Sequence, residues 1–95
     1  MVLDVSKISG IGEYMVIPEK DRTIFKKGEH AFLVINKNTI ELRSDSRLSD
    51  NLKEKYESVM ESRYFGRGGI EIVLAGQLNQ QEIEDLIRLS YNMTQ

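Results

Sequence analysis

The chain contains no cysteine and no tryptophan, and it has one histidine and one proline. Without thiols it has no disulfide framework and no thiolate metal site. His30 stands without a second histidine, a cysteine or a fixed carboxylate partner, so it is a poor basis for metal binding or acid–base catalysis. Long apolar runs are missing as well. Stretches such as Ala31 to Ile35 are strand-sized, far short of the roughly 20 residues that a membrane span needs. Met1-Val2-Leu3-Asp4-Val5 has no basic flank leading into an apolar segment, so no secretory leader is expected and the cytoplasm is the default location. No serine sits in a Gly-x-Ser-x-Gly elbow, and no nucleophile–base pair has a recognisable spacing. An enzyme is therefore not expected, nor a cofactor, nor a metal.

What remains is an ordinary globular composition. Ninety-five residues, 40% hydrophobic and 29% charged, fit one domain, 1–95, with a modest core. The formal charge of −2 argues against a strongly basic nucleic-acid binder, although a local patch matters more than the sum.

Residues 1–12 carry Val5 and Ile8 at helical spacing, but Ser9-Gly10-Ile11-Gly12 ends any helix there. Pro18 to Asp21 reads as a loop. Thr23-Ile24-Phe25-Lys26 is β-branched and aromatic, and Gly28 supplies a turn. Ala31 to Ile35 reads as a central strand buried on both faces. Asn36-Lys37-Asn38 makes a second turn, since asparagine tolerates the left-handed region. Thr39-Ile40-Glu41-Leu42-Arg43 alternates, with Ile40 and Leu42 inward. Leu48, Leu52, Tyr56, Val59 and Met60 form a helical stripe, with Ser46 or Ser49 as its cap. Arg63 to Phe65 and Ile70 to Leu74 read as strands joined by a hairpin turn at Gly66-Arg67-Gly68-Gly69. Asn79 and Glu82 predict a capping box that opens a last helix with Ile83, Leu86, Ile87 and Tyr91 on one face. Glu84 and Arg88 are spaced for an ion pair. The order β-β-β-α-β-β-α, with a short helix or strand in front, predicts an α+β two-layer sandwich: an antiparallel sheet of about five strands with helices on one face.

Several segments carry a family resemblance. Phe25-Lys26-Lys27-Gly28-Glu29-His30-Ala31-Phe32-Leu33, Leu52 to Tyr56, Gly76-Gln77-Leu78 and above all Ile83-Glu84-Asp85-Leu86-Ile87-Arg88-Leu89-Ser90-Tyr91-Asn92 resemble the YjbR/MmcQ family of bacterial proteins over about residues 13–93. The resemblance implies a two-layer fold likened to a double-wing DNA-binding arrangement, with a biochemical role that is unsettled. Two departures stand out. Family members usually begin with a full amphipathic helix, which residues 1–12 are too short and Gly-rich to supply whole. That shortening leaves apolar surface for exposure or for a second chain. Many members also carry a basic His-Trp motif at the hairpin, where this chain has Ile70 in the tryptophan's place and so loses a stacking platform.

The candidate nucleic-acid-binding residues are Arg63, Tyr64 and Arg67, where basic and aromatic side chains interleave near a turn, together with Arg43 and Arg47. Their bland reading is a partly buried strand with solvated charges. Lys26 and Lys27 fall on opposite faces and cannot line one groove. Glu82, Glu84 and Asp85 are helix-start charges rather than a metal cluster. A weak nucleic-acid (DNA)-binding module and a protein-interaction module or homodimer are the two leading expectations. A small-molecule pocket between helices and sheet ranks third. No membrane partner is expected.

Overall fold

Alternating and β-branched residues draw the middle of the chain into strands, and the amphipathic stripes on either side of the last hairpin close over one face of the resulting sheet. The computed structural model describes residues 3–95. Met1 and Val2, where the leader expectation begins, lie outside the described residues. A single 3₁₀ turn, Val5–Lys7, is followed by β1 (Met15–Pro18), β2 (Thr23–Lys27), β3 (His30–Ile35), β4 (Thr39–Arg43), α1 (Ser46–Lys55), β5 (Val59–Ser62), β6 (Gly66–Val73) and α2 (Gln80–Met93). The strands form one six-stranded sheet in the order β1-β2-β3-β4-β6-β5, with every neighbouring pair antiparallel. The helices pack on one side, α1 against β5 and β6 and α2 against β3 and β4. This is the expected α+β two-layer sandwich, with six strands instead of about five.

Four local expectations are corrected. Pro18 ends a strand, Met15–Pro18, and the expected loop begins only at Glu19. Proline lacks an N–H, which is tolerable only because β1 lies at the sheet edge. The helical stripe ends at Lys55, because Tyr56 turns extended at φ −127°, ψ 125° and Val59 pairs with Ile72 in the sheet. The hairpin is shifted: Arg63 to Phe65 is the turn, and Gly66 to Gly69 belongs to β6. A β-carbon on Gly69 would meet Phe65 Cβ at 2.5 Å and the Leu42 carbonyl oxygen at 2.7 Å, so Gly69 serves a close approach to the turn and to β4. The cap of α1 is Asp45, which accepts from the Leu48 N–H at 2.7 Å. Ser49 is instead buried at 3.4 Å from the Gly69 carbonyl.

Smaller details divide the same way. Gly28 takes a positive φ, whereas no described non-glycine residue does, so the asparagine turn closes without the left-handed region, through Asn36 N–H to the Thr39 carbonyl. The capping box at Asn79 and Glu82 forms in both directions. Arg88 bonds Asp85 at 2.8 Å rather than Glu84, which accepts from Gln80. Lys27 reaches the Tyr91 carbonyl on the helix side, while Lys26 pairs with Ala31, which belongs to the other face.

A register slip between Phe25 and Lys26 leaves Phe32 as an extra residue in β3, so Phe32 and Leu33 both join the helix-side core. The slip also interrupts the β3–β4 ladder beyond Leu33 and Leu42. Ser90 of α2 fills the gap: its hydroxyl donates to the Phe32 carbonyl at 2.6 Å and accepts from the Arg43 N–H at 2.9 Å. Tyr91 stacks edge-on against Phe32 and donates to the Glu13 carbonyl at 2.9 Å. Ser90 and Tyr91 thus lock helix to sheet. Val5 and Ile8 are buried in the same core, with Leu3 and Ile11 packed against it, so the N-terminal segment covers the apolar surface whose exposure its shortness suggested.

Candidate nucleic-acid interface

The sheet face without helices holds the features that simple alternation leaves unexplained. Ile24, Ala31 and Val34 form a small apolar cluster there, with Ile17 and Phe65 packed against it. Next to it, Glu41 of β4 and Glu71 of β6 stand directly opposite each other, 2% and 4% exposed. Two carboxylates so placed repel each other unless donors compensate, and here donors surround both. Glu41 accepts from Asn36 Nδ2 at 2.9 Å, Ser62 Oγ at 2.9 Å and the Tyr64 N–H at 2.8 Å. Glu71 accepts from Arg63 Nε at 3.0 Å and Nη2 at 2.9 Å, and from Thr39 Oγ1 at 2.7 Å. Burial alone would raise the Glu41 carboxyl, but the bonds from Asn36, Tyr64 and Ser62 and the charge of Arg63 hold it below the usual carboxylate range. Glu71 in turn raises the Arg63 guanidinium through their paired hydrogen bonds.

These bonds pin the turn Arg63 to Phe65 back over the sheet. Phe65 closes the turn by donating its N–H to Ser62 Oγ at 2.8 Å. The result is a row of stacked groups. The Arg22 guanidinium lies 5.1 Å from the Tyr64 ring centre, Tyr64 meets Phe65 edge-on at 4.9 Å, and the Arg43 guanidinium lies 5.0 Å from Phe65. Each arginine is anchored by its Nε: Arg22 to Glu19 at 2.7 Å, Arg43 to the Ala31 carbonyl at 2.7 Å, Arg63 to Glu71. The terminal nitrogens of Arg22 and Arg43 have no hydrogen-bond partner among the described residues. Beside the row opens a cleft of about 830 Å³, lined by Glu19, Lys20, Asp21, Arg22, Asn36, Lys37, Glu41, Arg63 and Tyr64.

Of the five expected residues, Arg63, Tyr64 and Arg43 meet on this face. Arg67 is exposed on the neighbouring stretch of β6, next to Gly68, whose carbonyl accepts from the N–H of Ser44 just past β4. Arg47 is exposed on the first turn of α1 and does not join the row. Sequence reasoning missed Arg22, because a β1–β2 hairpin was not foreseen. It also read Glu41 as an outward residue of an alternating strand and assigned Glu71 to a strand without a side. A usable signal was present: acidic residues are poor strand formers, and both sit mid-strand between isoleucine or leucine neighbours. Among the described residues no group of histidines and carboxylates is arranged to hold a metal, and no helix is long and apolar enough to cross a membrane. Comparison with known proteins finds no matching family model, no matching curated protein and no matching solved structure.

Proposed function

We propose that this chain is a YjbR/MmcQ-like cytoplasmic protein that works without catalysis as a weak nucleic-acid-binding module, meeting phosphate through the helix-free face of its sheet. One observation carries the reading: Arg22, Arg43 and Arg63 stand on that face around Tyr64 and Phe65, each held by its Nε. A guanidinium already oriented by one edge loses little freedom when its other edge meets a phosphate oxygen. The buried carboxylates beneath cancel part of the charge, which agrees with weak rather than tight binding. The test is an NMR titration of labelled protein with short mixed-sequence DNA at about 50 and about 200 mM salt, the range over which phosphate contacts weaken steeply. Shifts at Arg22, Arg43 and Arg63 to Arg67 that fade at the higher salt are expected. Their absence at low salt removes the reading.

Protein interaction is the second reading, favoured by a different place. Met15 and Val16 are 57% and 50% exposed on β1, a strand with one unpaired edge. A homodimer formed there gives a solution mass that rises with concentration and is indifferent to salt.

A further inference from the structure

Resting on the phosphate-binding reading, we propose that the cleft beside Tyr64 takes one unpaired nucleobase, stacked on the tyrosine ring with its N–H donors turned to Glu41 and Asn36, so that the nucleic acid bound is single-stranded. Four features point the same way.

The cleft, at about 830 Å³, falls in the size range of small-ligand sites and has room for a nucleotide. Its wall carries the Tyr64 ring, 38% exposed with the Arg22 guanidinium already 5.1 Å from its centre, and the surface that Arg22 leaves open is what a base can stack on. Bases stack on such rings with little regard to sequence. The floor excludes phosphate, because Glu41 is ionised and acceptor-only. A carboxylate has about four acceptor positions, and Glu41 uses three, which leaves one. Asn36 spends both amide hydrogens, on Thr39 Oγ1 at 3.0 Å and on Glu41, and keeps its carbonyl oxygen as an acceptor. Two acceptors with no donor select a base edge bearing adjacent N–H groups. The guanine pairing edge offers a ring N–H beside an amino group, whereas thymine offers a single N–H. In a duplex those donors are already paired and turned away, so only an unpaired strand can present them. Around this floor Lys20, Arg22, Lys37 and Arg63 outnumber Glu19 and Asp21, an excess of positive charge for the flanking phosphates.

Among the described residues neither helix offers a groove-reading alternative. Both helices lie on the opposite side of the sheet, and α2 opens with Glu82, Glu84 and Asp85, which repel a phosphate backbone.

The experiment compares a single strand of about eight nucleotides, within the span that small single-strand-binding domains cover, with the same strand annealed to its complement. Guanosine and thymidine monophosphates serve as minimal probes. The full chain is expected to bind the single strand roughly tenfold more tightly than the duplex, and Tyr64→Leu to remove most of that advantage while Tyr64→Phe keeps it. Shifts at Asn36 and Tyr64 should be larger with the guanosine than with the thymidine nucleotide. Equal binding of single strand and duplex, unchanged by Tyr64→Leu, overturns the base pocket while leaving the phosphate reading standing. Equal shifts from the two monophosphates overturn the acceptor-only floor. No binding of either DNA form overturns both readings together.

Discussion

The two faces of the sheet solve burial by opposite means. On the helix side Phe25, Phe32, Leu33, Ile40, Leu42, Ile70 and Ile72 meet Ile83, Ile87 and Tyr91, and the stabilisation comes from apolar area, about 1.5–3 kcal/mol for each large side chain fully buried. On the other side the buried apolar cluster among the described residues is Ile24, Ala31 and Val34, and two opposed glutamates lie beside it. There the hydrogen bonds that satisfy the carboxylates also bind the Arg63 to Phe65 turn. The first face tolerates exchange of one apolar residue for another of similar volume. The second depends on donors in fixed places, since a buried carboxylate left without them is costly. A fold can therefore keep one face for stability and hold the other in a defined but less stable arrangement.

The sharpest way to break that contrast is at its strong side. Phe32, fully buried and in contact with the rings of Tyr14, Phe25 and Tyr91, should lose about 3–5 kcal/mol on Phe32→Ala. That is a large share of a small domain's stability, and urea denaturation reads it directly. An intermediate effect is expected at Glu41. Glu41→Ala leaves the Tyr64 N–H, the Ser62 hydroxyl and the Asn36 amide short of an acceptor, at a cost of about 2–3 kcal/mol after partial relaxation. The same carboxyl gives a pH signature. Its folded pKa is lowered, so the native state binds fewer protons than the unfolded chain. Its contribution is complete above the unfolded value of about 4.3 and is lost as pH falls through the folded value, and Glu41→Gln should flatten that acid limb. If Glu41→Gln leaves the acid limb unchanged, the donors around Glu41 are not what holds this face.

The smallest effects sharpen the comparison within the basic residues. Arg63→Ala should lower the thermal midpoint by less than Glu41→Ala does, because Glu71 stays buried but retains Thr39. Arg47→Ala, at an exposed position away from the row, should change stability by no more than about 0.5 kcal/mol. Equal losses for the two arginines remove the distinction between anchored and free guanidinia.

Where sequence reasoning missed strands and turns, a local preference lost to a distant partner. Val59 and Met60 continue the apolar spacing of α1, yet β6 offers them a strand edge, and Val59 pairs with Ile72. Arg63 to Phe65 has strand-like composition, but the Glu41 carboxylate takes the Tyr64 N–H and makes the segment a turn. Pro18 signals a loop in isolation and is accepted into β1 because nothing pairs beyond it. The candidate site divides likewise. Interleaved basic and aromatic residues pointed to Arg63, Tyr64 and Arg43, whereas Arg22 enters only through the β1–β2 hairpin.

By itself, the sequence determined what depends on near neighbours. The central meander follows from alternation and turn residues, the opening of α2 from the capping box, and the α+β class from the order of periodic segments, because each is decided within a few residues of chain. Tertiary structure alone decided the rest: the sixth strand, the extra residue at Phe32 with Ser90 inserted beside it, and the burial of Glu41 opposite Glu71. Ser90 meets the Phe32 carbonyl across 58 positions and Glu41 meets the Tyr64 N–H across 23, distances at which local spacing carries no signal, while β1 is fixed by its pairing to β2 at the edge of the sheet.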